Sequence, residues 1–354
     1  MDTTVDSNAV FADGKIKLDP SNAILLGLRY TKDKVVARFD NPIYNNSPLG
    51  PVFTIGGLTN PPLSGPPGGM PAWPTKNAEV DSNKLTYKIG ASHKFDADNM
   101  LFATYSTGYL GPVINYEFNS QADLLKPQTN KNITVGYKSQ LLDRKLTFNV
   151  DLYQDKYVDF QTGYFNSKIL QFVGENAASM TTRGVEIETA YRASQDLSLA
   201  ASLAYVDAKY DNYCSVLAAG FGVPDCTSPT GSAGGQVAGQ SLSNVPKLTS
   251  TISVNYASDA LAGYRLTSSA NYYYRTNMRI RSYDPLTETP SYGVFGANLG
   301  LSPNSGAWKV SLYGRNLFNK RAPSVEATGL TLGYVNYVVR DTLRAVGVSF
   351  DAIF

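Results

Sequence analysis

The sequence predicts an all-β protein, an antiparallel transmembrane β-barrel wall of about 13 strands. Three observations carry that prediction. Apolar and polar residues alternate along nearly the whole chain, the period of a strand with two unlike faces. Short and long connections follow one another in strict turn, as in a membrane barrel with tight turns at one rim and long loops at the other. The polar face is crowded with charge that no packed core accepts.

Composition removes the competing classes. Of 354 residues, 43% are hydrophobic, 17% charged and 12% aromatic, and 31 Lys plus Arg against 29 Asp plus Glu leave a net charge of +2. That lacks the basic excess of a nucleic-acid binder and has far too many aromatics for a disordered chain. The longest apolar stretch, Ala23 to Leu28, is broken by Gly27. It falls short of the roughly 18 residues of a membrane helix and provides no signal-peptide core. The chain is therefore soluble or crosses a membrane as strands. With 24 Tyr, 15 Phe, 30 Gly and 19 Pro, it is built for pleated strands joined by turns.

The strands fall in order over residues 10–19, 22–36, 84–94, 99–110, 128–140, 144–160, 180–193, 196–209, 247–258, 262–276, 290–301, 306–318 and 342–354. The clearest begins at Lys145. Leu146, Phe148, Val150 and Leu152 make one face, and Thr147, Asn149, Asp151 and Tyr153 the other. The pattern recurs in Leu85, Tyr87, Ile89 and Ala91, in Leu197, Leu199, Ala201, Leu203 and Tyr205, and finally in Val346, Val348, Phe350, Ala352 and Phe354. Each segment reaches the roughly 9 to 11 residues that cross a hydrocarbon layer.

Tight turns are expected at Asp19 to Asn22, Asp96 to Asn99, Leu142 to Arg144, Ser194 to Asp196, Ser258 to Gly263 and Pro303 to Gly306. Between them lie long excursions over 37–83, 111–127, 161–179, 210–246, 277–289 and 319–341. The inward face would carry Lys138, Asp151, Glu186, Glu188, Arg192, Asn255, Arg265, Asn271, Arg275, Lys309, Arg315 and Asp351. A water-filled or plugged lumen tolerates such a set, because opposite charges on neighbouring strands solvate one another.

Few residues suggest chemistry. His93 is the single histidine, so a His-ligated metal site is excluded, and neither metal nor cofactor is expected. Asp151, Asp155 and Asp159 share a strand face, but four residues of strand span roughly 13 Å, too far for a shared metal or proton. Glu186 and Glu188, roughly 6 to 7 Å apart, have glycosidase-like spacing but read as balanced lumen charges. Asp96-x-Asp98 lacks the later residues of a calcium loop. Cys214 and Cys226 lie in a Gly-, Ser- and Pro-rich stretch, where a small disulfide loop in an oxidising compartment fits better than a buried redox site.

Several stretches are similar to the TonB-dependent outer-membrane receptors. "LLKPQTNKNITVGYKSQLLDRKLTFNVDLYQDKYVDFQ" (Leu124 to Gln161) resembles that family's mid-barrel signature, and "NAASMTTRGVEIETAYRASQDLSLAASLAYVDAKYDNY" (Asn176 to Tyr213) resembles the next hairpin. "VSLYGRNLFNKRA" (Val310 to Ala322) and the closing "RAVGVSFDAIF" look like its last two strands. Gln128 departs from a usual Glu, and Leu343 from a frequent Pro. The resemblance implies a barrel of about 22 strands around a plug domain, and this chain would provide about the last 13 strands, without plug or signal peptide. Because an odd number of strands with two free edges cannot close in lipid, residues 1–354 are expected to be the C-terminal part of a longer receptor, with Met1 an internal or misassigned start, and not to fold alone.

The resemblance also assigns expectations to residues. Phe354, with Phe350 on the same face, would be a signal to the barrel-assembly machinery, or else an interfacial anchor. Arg275, Arg279, Arg281 and Tyr283, near Tyr272, Tyr273 and Tyr274, suit an anionic aromatic ligand such as a ferric siderophore. An aromatic girdle with headgroup-binding arginines is the alternative. Trp73, in the Pro- and Gly-rich loop from Asn41 to Thr75, would join the ligand mouth or a mobile rim. The implied function is TonB-energised uptake across the outer membrane of a Gram-negative bacterium, with outer-membrane lipid, the TonB complex (through the plug) and a small ligand as partners, and no catalysis or nucleic acid. A passive porin or surface barrel is the runner-up.

Overall fold

The computed structural model describes residues 2–39, 54–55, 58–59, 76–116, 122–166, 171–229, 231–321, 324–327, 334–337 and 343–352. Thirteen strands make its wall: β1 (Asp2–Lys17), β2 (Asn22–Phe39), β3 (Lys76–Lys94), β4 (Asn99–Leu110), β5 (Gln128–Leu141), β6 (Leu146–Asn166), β7 (Gln171–Arg192), β8 (Leu197–Ser215), β9 (Leu248–Leu261), β10 (Tyr264–Arg275), β11 (Tyr292–Pro303), β12 (Trp308–Arg315) and β13 (Ala345–Ala352). Every neighbouring pair is antiparallel and the strand order is the chain order. Among the described residues the wall does not close, because β1 pairs only with β2 and β13 only with β12.

Register confirms an inside-out arrangement. On β2, Leu26, Leu28 and Tyr30 are exposed on one face, whereas Thr31, Asp33, Val35 and Ala37 on the other are buried. The exposed apolar face continues through Leu152, Tyr205 and Leu203 to Val346, Val348 and Phe350. The opposite face of β4 to β7 lines an open hollow of about 430 Å³ with Asn132, Thr134, Asp151, Asp155 and Glu186. Water on the charged side and hydrocarbon on the apolar side satisfy both faces. Among the described residues no helix is long and apolar enough to cross a membrane.

The short turns fall where the sequence puts them. Asp19 Oδ1 accepts from the amides of Ser21 and Asn22, both at 2.7 Å, and Asp96 Oδ1 accepts from the Asp98 amide at 2.7 Å. Hydrogen bonds from Asn22 and Ser21 hold the Asp19 carboxyl below its ordinary pKa. Leu142, Asp143 and Arg144 turn the chain with three successive left-handed residues, at φ 55°, 54° and 63°.

The strand ends correct the expected boundaries at the long-loop rim. β3 begins at Lys76 rather than residue 84, and β6 and β7 run to Asn166 and from Gln171, taking up most of the excursion expected over 161–179. These ends project past the apolar band, where the alternation that marks a lipid-bathed strand fades. A bulge lies on that projection: Asp159 is left-handed at φ 55°, and the β6–β7 register shifts between Tyr157 and Phe160. Within the excursion 111–127, a ribbon pairs Val113–Tyr116 with Ala122–Leu125. Its Ile114 packs against Val35 and Ala37, so this hairpin folds over the inward face.

Candidate ligand-binding loops

Two long connections pack into a platform at one rim. The first leaves β8 at Ser215, passes a single helical turn at Val216–Ala218, and forms a ribbon of Asp225–Thr227 with Ala233–Gln236. That ribbon pairs back onto β8, Cys214 with Gln236 and Ser215 with Gly235. Cys214 and Cys226 form a disulfide, with Cα atoms 5.9 Å apart, as their setting in the sequence favoured. Gly234 fits here because a Cβ would come within 2.8 Å of the Ser215 carbonyl and 3.0 Å of Cys214 Sγ.

The second connection, between β10 and β11, pairs Met278–Arg279 with Glu288–Thr289 around a helical turn at Pro285–Thr287. Buried Asp284 caps that turn by accepting from the Leu286 amide at 3.0 Å. The two connections are joined by backbone and side chain. The Asn244 amide donates to the Arg279 carbonyl at 2.8 Å, and the Ser282 amide to Ser243 Oγ at 3.2 Å. Tyr283 enters the first connection, buried with Ala218 and Val237 and packed against Tyr210, Tyr213 and Val223. Its ring meets Phe221 edge-on at 5.1 Å. Burial pushes both the Tyr283 and the Tyr213 phenol up to about 12, so both are neutral packing groups at ordinary pH.

The arginines divide by exposure. Arg275 is only 6% exposed. It donates to the Thr276 carbonyl at 3.0 Å and to Thr289 Oγ1 at 3.2 Å, and lies 4.5 Å over the Tyr292 ring. Through these two hydrogen bonds it braces the end of β10 against the ribbon. Arg279 is half-exposed and paired with Glu288 at 3.4 Å, which helps hold that carboxyl below its ordinary range after the larger effect of Asn277. Arg281 is half-buried, near enough to Tyr283 for its charge to oppose the upward push of burial. Arg279, Arg281 and Tyr283 thus lie in one connection, to which Arg275 is tied through Thr289.

Trp73 and Phe354 lie outside the described residues. Phe350 stands on β13, exposed on the apolar face beside Val346 and Val348. Among the described residues no cluster of His, Cys, Asp or Glu is arranged to hold a metal ion.

One polar residue escaped the sequence reading. Glu175, on the projecting part of β7 opposite Thr162, is 3% exposed, and neither carboxyl oxygen has a hydrogen-bond partner among the described residues. Burial raises it from an ordinary 4.5 to about 7. It lies near enough to Tyr213 to push that phenol up further, which links β7 electrostatically to the platform. Its position beside apolar Val173 and Gly174, well above the lipid band, is the only trace it leaves in the sequence.

A family model described as TonB dependent receptor-like, beta-barrel, matches residues 1–317. Among solved structures, the ferric yersiniabactin uptake receptor FyuA from Yersinia pestis superposes with a TM-score of 0.73 at 16% identity, over 98% of this chain and 45% of its own. The siderophore receptor PiuA from Acinetobacter baumannii gives 0.68 at 17% identity, over 98% and 43%. The closed form of the ferric-catecholate import receptor Fiu from K12 E. coli gives 0.65 at 18%, over 98% and 44%. The chain spans less than half the length of each, and at these identities the likeness is one of fold. The apolar-out wall, the alternating turns and loops and the match over most of the chain lead to one conclusion: this chain belongs to the TonB-dependent receptor-like β-barrel family.

Proposed function

We propose that the chain forms part of the wall of an outer-membrane receptor that takes up a scarce ligand, with TonB-transmitted energy, in a Gram-negative bacterium. A ferric siderophore is the ligand class that the reading favours, and the chain performs no catalysis of its own. The carrying observation is the inverted sheet, apolar outside and charged inside, capped at its long-loop rim by a disulfide-tied platform. Exposed Arg279 and half-buried Arg281 give that rim guanidinium donors suited to an anionic chelate. In this reading residues 1–354 are the C-terminal portion of the barrel, and further strands pair with the free edges of β1 and β13. A plug domain contacts TonB, and Phe350 and Phe354 address the barrel-assembly machinery.

The test is uptake by cells carrying the intact receptor. The protein should fractionate with the outer membrane, and accumulation of radiolabelled ferric siderophore should stop when a protonophore collapses the proton motive force. Uptake that is indifferent to the protonophore would instead make this a passive porin.

A further inference from the structure

The outward face carries an unbalanced row of cations where the apolar band ends. Lys156 on β6 stands directly opposite Lys131 on β5, and on its other side opposite Thr181 on β7, which in turn faces Lys209 on β8. One step towards the band, Gln154 faces Arg183, and Arg183 faces Asp207. One step further, Val135, Leu152, Val185 and Tyr205 form an apolar row across the same four strands. The inward face at this level holds Asn132, Asp155 and Thr182 instead.

Directly opposed residues on antiparallel strands have Cβ atoms about 5 Å apart, and like charges so placed repel. Neither Lys131 nor Lys156 has an ion-pair partner among the described residues. Lys209 is paired with Asp207 at 3.2 Å, and Asp211 accepts from the Thr181 hydroxyl at 2.7 Å. Arg183 Nε donates to neutral Gln154 Oε1 at 2.8 Å, and the carboxylate opposite it, Asp207, is the one that Lys209 already holds. Four cations thus meet two carboxylates. At the same rim on β1 to β3, Lys34 lies between Asp6 and Asp81 and is bonded to Glu79 at 2.6 Å, so carboxylates outnumber the cation there.

Height identifies the partner. Lys156 is ten residues along β6 from Leu146, roughly 34 Å of strand. At a tilt of about 40° this is about 26 Å of vertical rise, the height of the apolar band of a membrane barrel. The lysine pair therefore emerges at the headgroup level of the leaflet on the long-loop side. We infer that Lys131, Lys156, Arg183 and Lys209 bind the phosphate groups of an outer-leaflet glycolipid whose acyl chains lie on the apolar rows below. Phosphate oxygens accept from ammonium and guanidinium donors together and relieve the opposition of Lys131 and Lys156. The inference rests on the membrane reading above.

The probe is diphosphoryl lipid A. The protein, extracted from its native membrane into mild detergent and stripped of lipid, is titrated with this lipid and with the same lipid freed of its phosphates. The phosphorylated form should bind, and the Lys131→Gln/Lys156→Gln pair should weaken it roughly tenfold or more, as expected for two interfacial cations. Lys34→Gln, among the carboxylates of β1 to β3, should leave the affinity unchanged. Removing a like-charge pair does not threaten the fold, and unchanged heat-modifiable mobility on gels checks this. Equal binding of both lipids, or of wild type and double variant, overturns the inference. Displacement of the lipid by inorganic phosphate would mean a free-anion site and would also overturn it. A protein absent from the membrane fraction overturns the membrane reading itself, a result distinct from these.

Discussion

At the scale of single residues, Glu175 is the group most out of equilibrium with its surroundings. Both its carboxyl oxygens are buried without partners among the described residues, and its pKa rises from 4.5 to about 7. The folded segment therefore holds its proton more tightly than the unfolded one. Local stability is full below about 4.5, falls as pH rises towards 7, and is level above that. Hydrogen exchange over residues 171–179, corrected for the intrinsic rate, should be faster at alkaline than at mildly acidic pH, and Glu175→Gln should abolish the difference. Protection that ignores pH in the wild type would remove this account. Such a group is hard to read from sequence, because an isolated acid on a strand beyond the apolar band looks like any surface acid. Arg275 shows the converse. Its place among tyrosines suggested a ligand-facing cation, and the structure shows it buried, with two of its donors bonded to Thr276 and Thr289.

At the scale of elements, the wall strands were legible because lipid on one side and charge on the other force a period of two upon them. The turns were legible for a local reason, such as the Asp19 carboxylate accepting from the amides just after it. The platform was not, since its form depends on the Cys214–Cys226 bond and on Tyr283 crossing from one connection into another, contacts between residues far apart in sequence. Closing a loop of this size with a disulfide stabilises by roughly 3 kcal/mol. Cys214→Ser should therefore expose residues 216–246 to limited proteolysis, leaving the strands that they connect intact. Protease resistance equal to wild type would mean that Tyr283 and the ribbon hold the platform unaided.

At the scale of the whole molecule, the defining property is which side of the sheet meets water. Leu152 faces out within the apolar band, and Asn149 faces in, opposite Lys138 and Glu188. Leu152→Arg should cost roughly 2–4 kcal/mol and reduce the yield of heat-modifiable protein in the outer membrane, whereas Asn149→Arg should be tolerated. Equal sensitivity at the two positions would contradict the inverted arrangement. The strand order has a separate consequence, for folding. Each ladder joins strands adjacent in the chain, and even the wide β2–β3 ladder reaches only from Asn22 to His93, 71 positions apart. Pairing can therefore advance one hairpin at a time, each new strand templated on the last, so that little loop-closure entropy is lost at any step. Such a wall zips, and its growth rate should depend on the long connections rather than on the number of strands.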